Sequence, residues 1–132
     1  MQGDGELLER AAAAARRAHS PYSGIRVGAA LRGADGRVFT ACNVENASYG
    51  LTMCAERAAV FRAVEEGCTR FDVLAIWSDV GHPLPPCGAC RQVLSEFGLG
   101  LRVVVGGGTG GAGLETTLAE LLPHPMGPQD LV

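Results

Sequence analysis

Three cysteines and one glutamate restrict the fold of this chain most, because their pattern predicts a common site that the fold must bring together. Cys54 and Glu56 lie in the stretch CAER, and Cys87 and Cys90 lie further along in PPCGACRQ. The spacing of Cys87 and Cys90 is one helical turn, so a helix starting there would carry both sulfurs on one side, where they can share a metal ion. Cys54 also stands at the start of a predicted helix. We therefore expect two helix N-termini to converge on one site.

The number of cysteines favours a catalytic zinc site over a structural one. A helix N-terminus offers free N–H groups and about half a positive charge, which lowers the pKa of a thiol from about 8.5. A closed structural zinc site has four ligands, whereas a catalytic site has three and keeps an open position for water. His19, His82 and His124 could supply a fourth ligand, but none has a close ligand spacing. We interpret each of them as a surface loop histidine.

Glu56 gives this arrangement its predicted chemistry. It is too close in sequence to Cys54 to be a good ligand beside it, but its carboxylate can lean over the open position. There it can take a proton from the zinc-bound water and pass it to a substrate. Three thiolates and a hydroxide would leave the zinc a poor Lewis acid unless their charge is offset. Arg57 is the first candidate for that offset and Arg91 the second.

Two alternatives account for fewer of these residues. A redox pair formed by C-x-x-C would leave Cys54 and Glu56 without a role. A structural zinc site would leave Glu56 unexplained and would need a fourth ligand. The combination of C-x-E with P-C-x-x-C therefore favours a hydrolytic zinc enzyme.

The rest of the chain reads as one α/β domain over residues 1–132. The order of elements predicts a three-layer α/β/α sandwich with a mixed sheet of about five strands. GGGTGGAG at 106–113 is predicted as a flexible turn or loop. Helices are predicted over 4–18 (capped by Asp4), 53–66, 87–97 and 117–122, and strands over 27–31, 38–41, 71–77 and 101–105, with a fifth around 113–117.

Composition excludes several function classes. All 11 basic residues are arginine, so a Schiff-base lysine and a P-loop are excluded. The net charge of −3 argues against nucleic-acid partners. No apolar run approaches the roughly 18–20 residues of a membrane span, and the acidic start is no secretion signal. Five cysteines do not suggest a disulfide framework, and Cys42 and Cys68 are expected to be buried. We expect a cytoplasmic protein with neither nucleic-acid nor membrane partners.

At these residues the chain resembles a known family. C-A-E at 54–56 with P-C-G-A-C at 86–90 is similar to the motif of the zinc nucleoside and base deaminases. Further stretches resemble the small, homotetrameric enzymes of the cytidine and deoxycytidylate deaminase family, and the similarity is weakest over 99–116. Those stretches are PYSGIRVGAAL (21–31), CNVENASYGLTMCAER (42–57), PPCGACRQVLSEFG (85–98) and ELLPHPMGPQDL (120–131).

The resemblance implies a role for each matching position. It implies one Zn2+ per chain, held by Cys54, Cys87 and Cys90, with Glu56 as the proton shuttle. It implies that Arg57 hydrogen-bonds the zinc thiolates. The implied substrate contacts are Asn43 and Glu45 to the ribose 3′-hydroxyl, the Ala55 N–H and Pro85 carbonyl to the pyrimidine, and Ala47 and Tyr49 in a neighbouring subunit's pocket.

Three positions depart from the family pattern. Ile25 stands where an aromatic residue often covers the base, and Met126 stands where a phenylalanine closes the neighbouring pocket. Both keep apolar contact but lose aromatic stacking, which is worth roughly 0.5–1.5 kcal/mol. Pro85 replaces a serine or threonine whose carbonyl alone is needed.

The reaction implied is hydrolytic deamination of cytidine and 2′-deoxycytidine to the uridines and ammonia, a step of pyrimidine salvage. A deaminase of a modified or antibiotic nucleoside is an alternative that the NVEN stretch disfavours. A zinc-stabilised binding module without turnover is a second alternative. A polynucleotide deaminase is disfavoured by the acidic balance and the absence of a basic, aromatic groove.

Overall fold

A computed structural model of the protein describes residues 3–108 and 112–131, and the regular elements of these residues follow the predicted order. Two short 3-10 helices, Tyr49–Leu51 and Pro128–Leu131, occur in addition. The helices are α1 Asp4–Ala15, α2 Ala55–Glu65, α3 Gly88–Ser95 and α4 Leu118–Leu121, and the strands are β1 Val27–Gly33, β2 Val38–Cys42, β3 Phe71–Ser78, β4 Arg102–Gly107 and β5 Ala112–Thr117.

The strands form a mixed sheet in the order β2-β1-β3-β4-β5. The pairs β1–β2, β1–β3 and β4–β5 are antiparallel, and β3–β4 is parallel. A parallel pair needs a crossover connection, and α3 lies in the segment that joins β3 to β4. The prediction of a mixed, five-stranded sheet is confirmed.

Alternating side chains of the central strand β3 divide the core into two clusters. Val73 and Ala75 belong to a cluster with Leu7 and Ala11 of α1, on one face of the sheet. Leu74 belongs to the other cluster, which also contains residues of α2 and α3. Successive strand residues point to opposite faces, so a strand buried on both sides reads as a continuous apolar run. The three-layer sandwich is therefore confirmed.

The ends of α1 differ from the prediction. Gly3 is the N-cap, and Asp4 is instead the first helical residue, with its carboxylate 2.6 Å from Arg102 Nη2. The helix stops at Ala15 instead of continuing to residue 18, because the chain turns so that the His19 N–H can donate to the Asn43 carbonyl oxygen. No helix of the described residues is both long enough and apolar enough to cross a membrane.

Two further predictions are modified by the position of β2 and β4 in the sheet. Cys68 is buried as expected, but Cys42 is only half-buried, because it ends the edge strand β2. Part of the glycine-rich segment is strand, since Gly106 and Gly107 continue the parallel pairing of β4 with β3. The remainder of the predicted loop includes residues 109–111, which lie outside the described residues.

Gly28 of β1 lies directly against the backbone of α1, so it should tolerate no side chain. A Cβ atom at Gly28 would overlap the Ala11 carbonyl oxygen and lie 2.7 Å from Ala15 N. We expect Gly28→Ala to lower the free energy of unfolding by about 1–3 kcal/mol, the usual cost of overpacking. Urea denaturation of both the wild-type and variant proteins measures this change.

The matched control for that substitution is Gly5→Ala, within α1 itself. A Cβ at Gly5 meets no atom within 4 Å, and alanine favours a helix over glycine by up to about 1 kcal/mol. Gly5→Ala should therefore be neutral or stabilising. Equal stability of Gly28→Ala and the wild type would contradict the close contact.

Candidate active site and metal centre

The first residues of α2 and α3 bring the three predicted thiols together. Cys54 is the N-cap of α2 and Cys87 the N-cap of α3, both with extended backbone, and Cys90 is the third residue of α3. Each cap carbonyl accepts the first bond of its helix, Ala58 N to Cys54 O at 3.1 Å and Arg91 N to Cys87 O at 3.0 Å. Neither cap side chain bonds to a helix N–H. The sulfurs are therefore free to face each other.

The spacing of the sulfurs fits a zinc ion. Cys54 Sγ lies 3.8 Å from Cys87 Sγ, which lies 3.5 Å from Cys90 Sγ, and all three are within 4.8 Å of one another. A tetrahedral ion with Zn–S bonds of about 2.3 Å holds its sulfurs about 3.8 Å apart. In the part of the chain that the structure describes, no histidine, aspartate or glutamate joins this group. The donor set is that of a site with one position left for a further ligand.

Arg57 lies against the thiols on the α2 side. Its Nη2 donates to Cys54 Sγ at 3.3 Å. The pKa of Cys54 is lowered to about 5, because the Cys90 thiol and then the Arg57 guanidinium hydrogen-bond to its sulfur. The pKa of Cys90 is raised by that same bond to Cys54 and by burial. The Arg57 guanidinium therefore stabilises negative charge on Cys54.

Arg91, the second candidate for charge compensation, has another role. Its Nε donates to the Pro86 carbonyl oxygen at 2.8 Å, and its Nη1 donates to the Leu121 carbonyl oxygen at 2.9 Å. Arg91 therefore ties the loop before α3 to the end of α4. The expectation that it neutralises the thiolates is not supported by these contacts.

Glu56 is the second residue of α2 and, in the part of the chain that the structure describes, the only charged residue that is buried. Its side chain is only 5 % exposed. Burial raises the pKa of Glu56 to about 7, and the charge of Cys54 adds to the rise while Arg57 opposes it. A carboxyl group with a pKa near the working pH can both accept and release a proton. Glu56 lines one cavity with Cys54 and Cys87, so its carboxyl group is positioned beside the thiols.

Glu56 and two of the thiols open onto a small cavity of about 220 Å³. Val27 and Leu84 are among its apolar lining residues. A second cavity of about 340 Å³ lies next to it, since Thr52 lines both. The other lining residues are Asn43, Cys54, Ala55, Pro85 and Cys87 in the first cavity, and Tyr22, Ser23, Glu45 and Tyr49 in the second.

Asn43 holds the backbone that borders the first cavity. Its Oδ1 accepts from Val27 N at 2.9 Å, and its Nδ2 donates to the Ile25 carbonyl oxygen at 2.9 Å. An asparagine side chain has two donor hydrogens and two acceptor lone pairs, so one of each stays available for a ligand. Asn43 is 8 % exposed, which restricts that ligand to the cavity side.

Glu45 is held in place by the loop that precedes β1. Its Oε1 accepts from Tyr22 N at 2.9 Å and Ser23 N at 3.1 Å, and its Oε2 accepts from the Ser23 hydroxyl. The Ser23 hydroxyl bond is the main cause of the lowered pKa of Glu45, so the carboxylate is charged at neutral pH. A carboxylate has about four acceptor positions, and these bonds leave one on Oε2.

Ser23 and Thr52 are site residues that sequence reasoning missed. Ser23 lies within the PYSG stretch that resembles the family, and Thr52 lies two residues before Cys54. The position of both residues within or beside family-like stretches could have indicated a place in the site. Their contacts could not be predicted, because Ser23 and Glu45 are 22 residues apart in the chain and meet only in the folded protein.

The predicted residues with apolar side chains lie at the surface. Tyr49 is 75 % exposed and Met126 is 56 % exposed, and Ile25 and Ala47 are exposed as well. Tyr49 lines the second cavity, whereas the other three line neither cavity. The ring of Tyr49 packs edge-on against that of Tyr22, with centroids 5.8 Å apart. His19, His82 and His124 are exposed, in agreement with the prediction.

Comparison with known families identifies the kind of site. Residues 1–106 match the family described as the cytidine and deoxycytidylate deaminase zinc-binding region. The cytidine deaminase of Sporosarcina psychrophila is 44% identical over 126 residues, which cover 96% of this chain and 93% of that protein. The cytidine deaminase of Halalkalibacterium halodurans is 45% identical over 125 residues, covering 95% of each chain. The blasticidin-S deaminase of Bacillus cereus is 32% identical over 108 residues, covering 74% of each.

Solved structures agree with the sequence relatives. The crystal structure of the cytidine deaminase from Burkholderia pseudomallei superposes with a TM-score of 0.90 at 44% identity, covering 95% of this chain and 100% of that chain. The cytidine deaminase from Mycobacterium tuberculosis gives a TM-score of 0.81 at 44% identity, covering 92% and 95%. With its three thiols and buried glutamate in the matched region, the chain belongs to the cytidine and deoxycytidylate deaminase family, whose zinc-binding region it carries.

Proposed function

We propose that this protein is a zinc-dependent enzyme that hydrolyses cytidine and 2′-deoxycytidine to the uridines and ammonia. The observation that carries the proposal is a buried carboxyl group, Glu56, beside three thiols spaced for zinc at one cavity. The relatives named cytidine deaminase, which match this chain over nearly its whole length, support the choice of substrate.

Cys54, Cys87 and Cys90 are the residues that would hold the ion. Zn2+ bound to them would supply a Lewis acid that lowers the pKa of a water molecule toward about 7. Arg57 draws negative charge from Cys54 through its 3.3 Å hydrogen bond. The N-termini of α2 and α3 act in the same direction, because their free N–H groups carry partial positive charge.

Glu56 carries the protons of the reaction. Its carboxylate takes a proton from the attacking water and delivers it to N3 of the pyrimidine, as oxygen adds at C4. It then transfers the second proton of that water to the amino group, which leaves as ammonia while the C4 carbonyl forms. The near-neutral pKa of Glu56, caused by its burial, suits both the uptake and the release of a proton.

The two adjoining cavities divide the substrate between them. The pyrimidine occupies the cavity beside the thiols, where the Ala55 N–H and Pro85 carbonyl contact its edge and Ile25 gives apolar contact nearby. The sugar extends past Thr52 toward the second cavity. The free side-chain N–H of Asn43, in the first cavity, and the free acceptor of Glu45, in the second, bind the 3′-hydroxyl between them, so we expect a nucleoside to be preferred to the free base.

A deaminase of a modified cytosine nucleoside is the second candidate. The 32% identity to a blasticidin-S deaminase favours it. A substrate without a hydroxyl at the sugar position would leave the charged Glu45 acceptor unpaired, which costs affinity. A zinc-stabilised module without turnover needs a fourth protein ligand, and none is present among the described residues.

We also propose that residues 1–132 form a single domain and that four copies assemble, with Ala47, Tyr49 and Met126 reaching the pocket of a neighbouring subunit. Exposed apolar side chains support this, because Tyr49, Leu51 and Met126 are each more than half exposed. A cavity of about 220 Å³ is small for a ligand site, typically about 300–1,000 Å³, and residues of a neighbouring chain would extend it.

The five free thiols are consistent with a cytoplasmic location.

Replacing the Glu56 carboxyl group tests the reaction itself. We expect Glu56→Gln to retain one zinc per chain while kcat falls by about 10²–10⁴-fold, the usual contribution of general acid–base catalysis. Zinc analysis and the ultraviolet change on conversion of cytidine to uridine measure the two quantities. Glu9→Gln, an exposed acid of α1, is the control and should keep full activity. Near-normal turnover by Glu56→Gln would reject the mechanism.

A substrate lacking the 3′-hydroxyl tests the role of Glu45. We expect 3′-deoxycytidine to lose about tenfold or more in kcat/KM, because a hydrogen bond to a charged group is lost. Glu45→Gln and, to a smaller extent, Ser23→Ala should weaken turnover of cytidine but have little effect on 3′-deoxycytidine. Equal losses on both substrates would show that these residues do not act through the 3′-hydroxyl.

Sedimentation equilibrium tests the assembly. We expect the zinc-loaded protein to sediment at four times the mass of one chain. Tyr49→Ala should raise KM for cytidine with zinc content unchanged, since the side chain is proposed to line a neighbouring pocket. A fully active monomer would disprove both the assembly and this role of Tyr49.

A further inference from the structure

A further cavity, separate from the two at the candidate active site, lies at the open edge of the sheet. It has a volume of about 380 Å³ and shares no lining residue with the candidate active site. We call it the arginine cavity, because three of its lining side chains are arginines: Arg10 of α1, Arg17 just after α1, and Arg62 of α2. It is lined by Arg10, Ala13, Ala14, Arg17, Thr40, Ala41, Cys42 and Arg62.

The sequence of α1 accounts for one wall of the arginine cavity. Arg10, Ala13 and Ala14 follow the spacing of residues that share one face of a helix, and Arg17 lies two residues beyond the end of α1. The small side chains of Ala13 and Ala14 leave space between the two arginines. Arg62 of α2 faces this wall from the other side of the edge strand β2.

Only one of the three cations is neutralised within the described residues. Arg62 Nε lies 3.1 Å from Glu66 Oε2, and Arg62 Nη1 donates to the Thr40 carbonyl oxygen at 3.1 Å. The side chains of Arg10 and Arg17 form no hydrogen bond or ion pair with any described residue. Among the residues that the structure describes, no carboxylate lines the cavity, although the chain as a whole has a net charge of −3. The positive charge here is therefore local and uncompensated.

We propose that the arginine cavity binds a small organic phosphate or polyphosphate. The planar guanidinium fork matches the oxygens of a phosphate group, and cations on opposite walls can contact separate phosphates of one ligand. The volume lies within the range of about 300–1,000 Å³ that is typical of small-molecule sites. The bound phosphates would supply the counter-charge that Arg10 and Arg17 lack.

Arg16 provides a matched control for the simplest competing explanation. Cations near the end of a helix are favoured by its dipole whether or not a ligand binds. Arg16 is the C-cap of α1 and Arg17 follows it directly, but only Arg17 lines the cavity. If these arginines interact only with the helix dipole, replacing Arg16 and replacing Arg17 should have the same effect on anion binding. If the cavity is a binding site, only the replacement of Arg17 should weaken binding.

Isothermal titration calorimetry on the zinc-loaded protein tests the proposal with three probes: inorganic phosphate, tripolyphosphate and ATP. Tripolyphosphate should bind saturably and more tightly than phosphate, and affinity should fall as salt is added. The double variant Arg10→Gln, Arg17→Gln should bind it about tenfold more weakly or worse, because charge-assisted hydrogen bonds are lost. Arg16→Gln should bind it like the wild type. Tighter binding of ATP than of tripolyphosphate would identify the ligand as a nucleotide.

Cys42 localises the binding independently of affinity. Its thiol is half-buried and lines the cavity, while Cys68 is buried elsewhere in the core. Saturating tripolyphosphate should slow alkylation of Cys42 by iodoacetamide, as measured by mass spectrometry of the digested protein, without changing the slow reaction of Cys68. Zinc analysis after titration verifies that the polyphosphate has not removed the metal, and thermal unfolding verifies that the variants are folded.

Three results would overturn the proposal. They are the absence of saturable tripolyphosphate binding, equal weakening by Arg16→Gln and by the double variant, and unchanged alkylation of Cys42 at saturation. The second result would mean that the anion senses only the general charge of this surface.

Discussion

The site depends on one constraint: the N-termini of α2 and α3 must stay together although their thiolates repel each other. The sulfurs lie within 4.8 Å of one another although two of them cap different helices. Apolar packing supplies the force, because Ala59 and Val60 of α2 and Leu94 of α3 share one core cluster with the sheet. Polar contacts from Arg57 and Arg91 then stabilise the local arrangement. Hydrophobic packing of α2 and α3 thus stabilises a site of concentrated negative charge.

The same packing gives Glu56 its chemical character. Because it follows the cap residue Cys54 in the first turn of α2, it enters the core side of the helix together with Ala55. Burial raises its pKa to about 7, at a cost in stability that an exposed glutamate would not have. Catalytic groups commonly combine such a cost with a matched pKa.

The parts of the site that depend on local periodicity could be predicted from the sequence, and the parts that depend on distant partners could not. The convergence of Cys87 and Cys90 follows from helical spacing, and the alternation in β3 follows from its apolar run. Asp4 pairs with Arg102, which is 98 positions away in the chain. No local feature of the sequence could therefore indicate that Asp4 would be the first helical residue instead of the N-cap. Likewise, the contact between Ser23 and Glu45 and the exposure of Cys42 follow from the arrangement of the sheet.

The position of β3 in the middle of the sheet has a consequence for folding. Cys54 precedes β3 and the other two thiols follow it, while β3 pairs with both β1 and β4. The three thiols therefore lie far apart in an unfolded chain and come together only when α2 and α3 pack against the sheet. An ion bound by all three favours the folded state over the unfolded one, so metal affinity and folding stability are coupled.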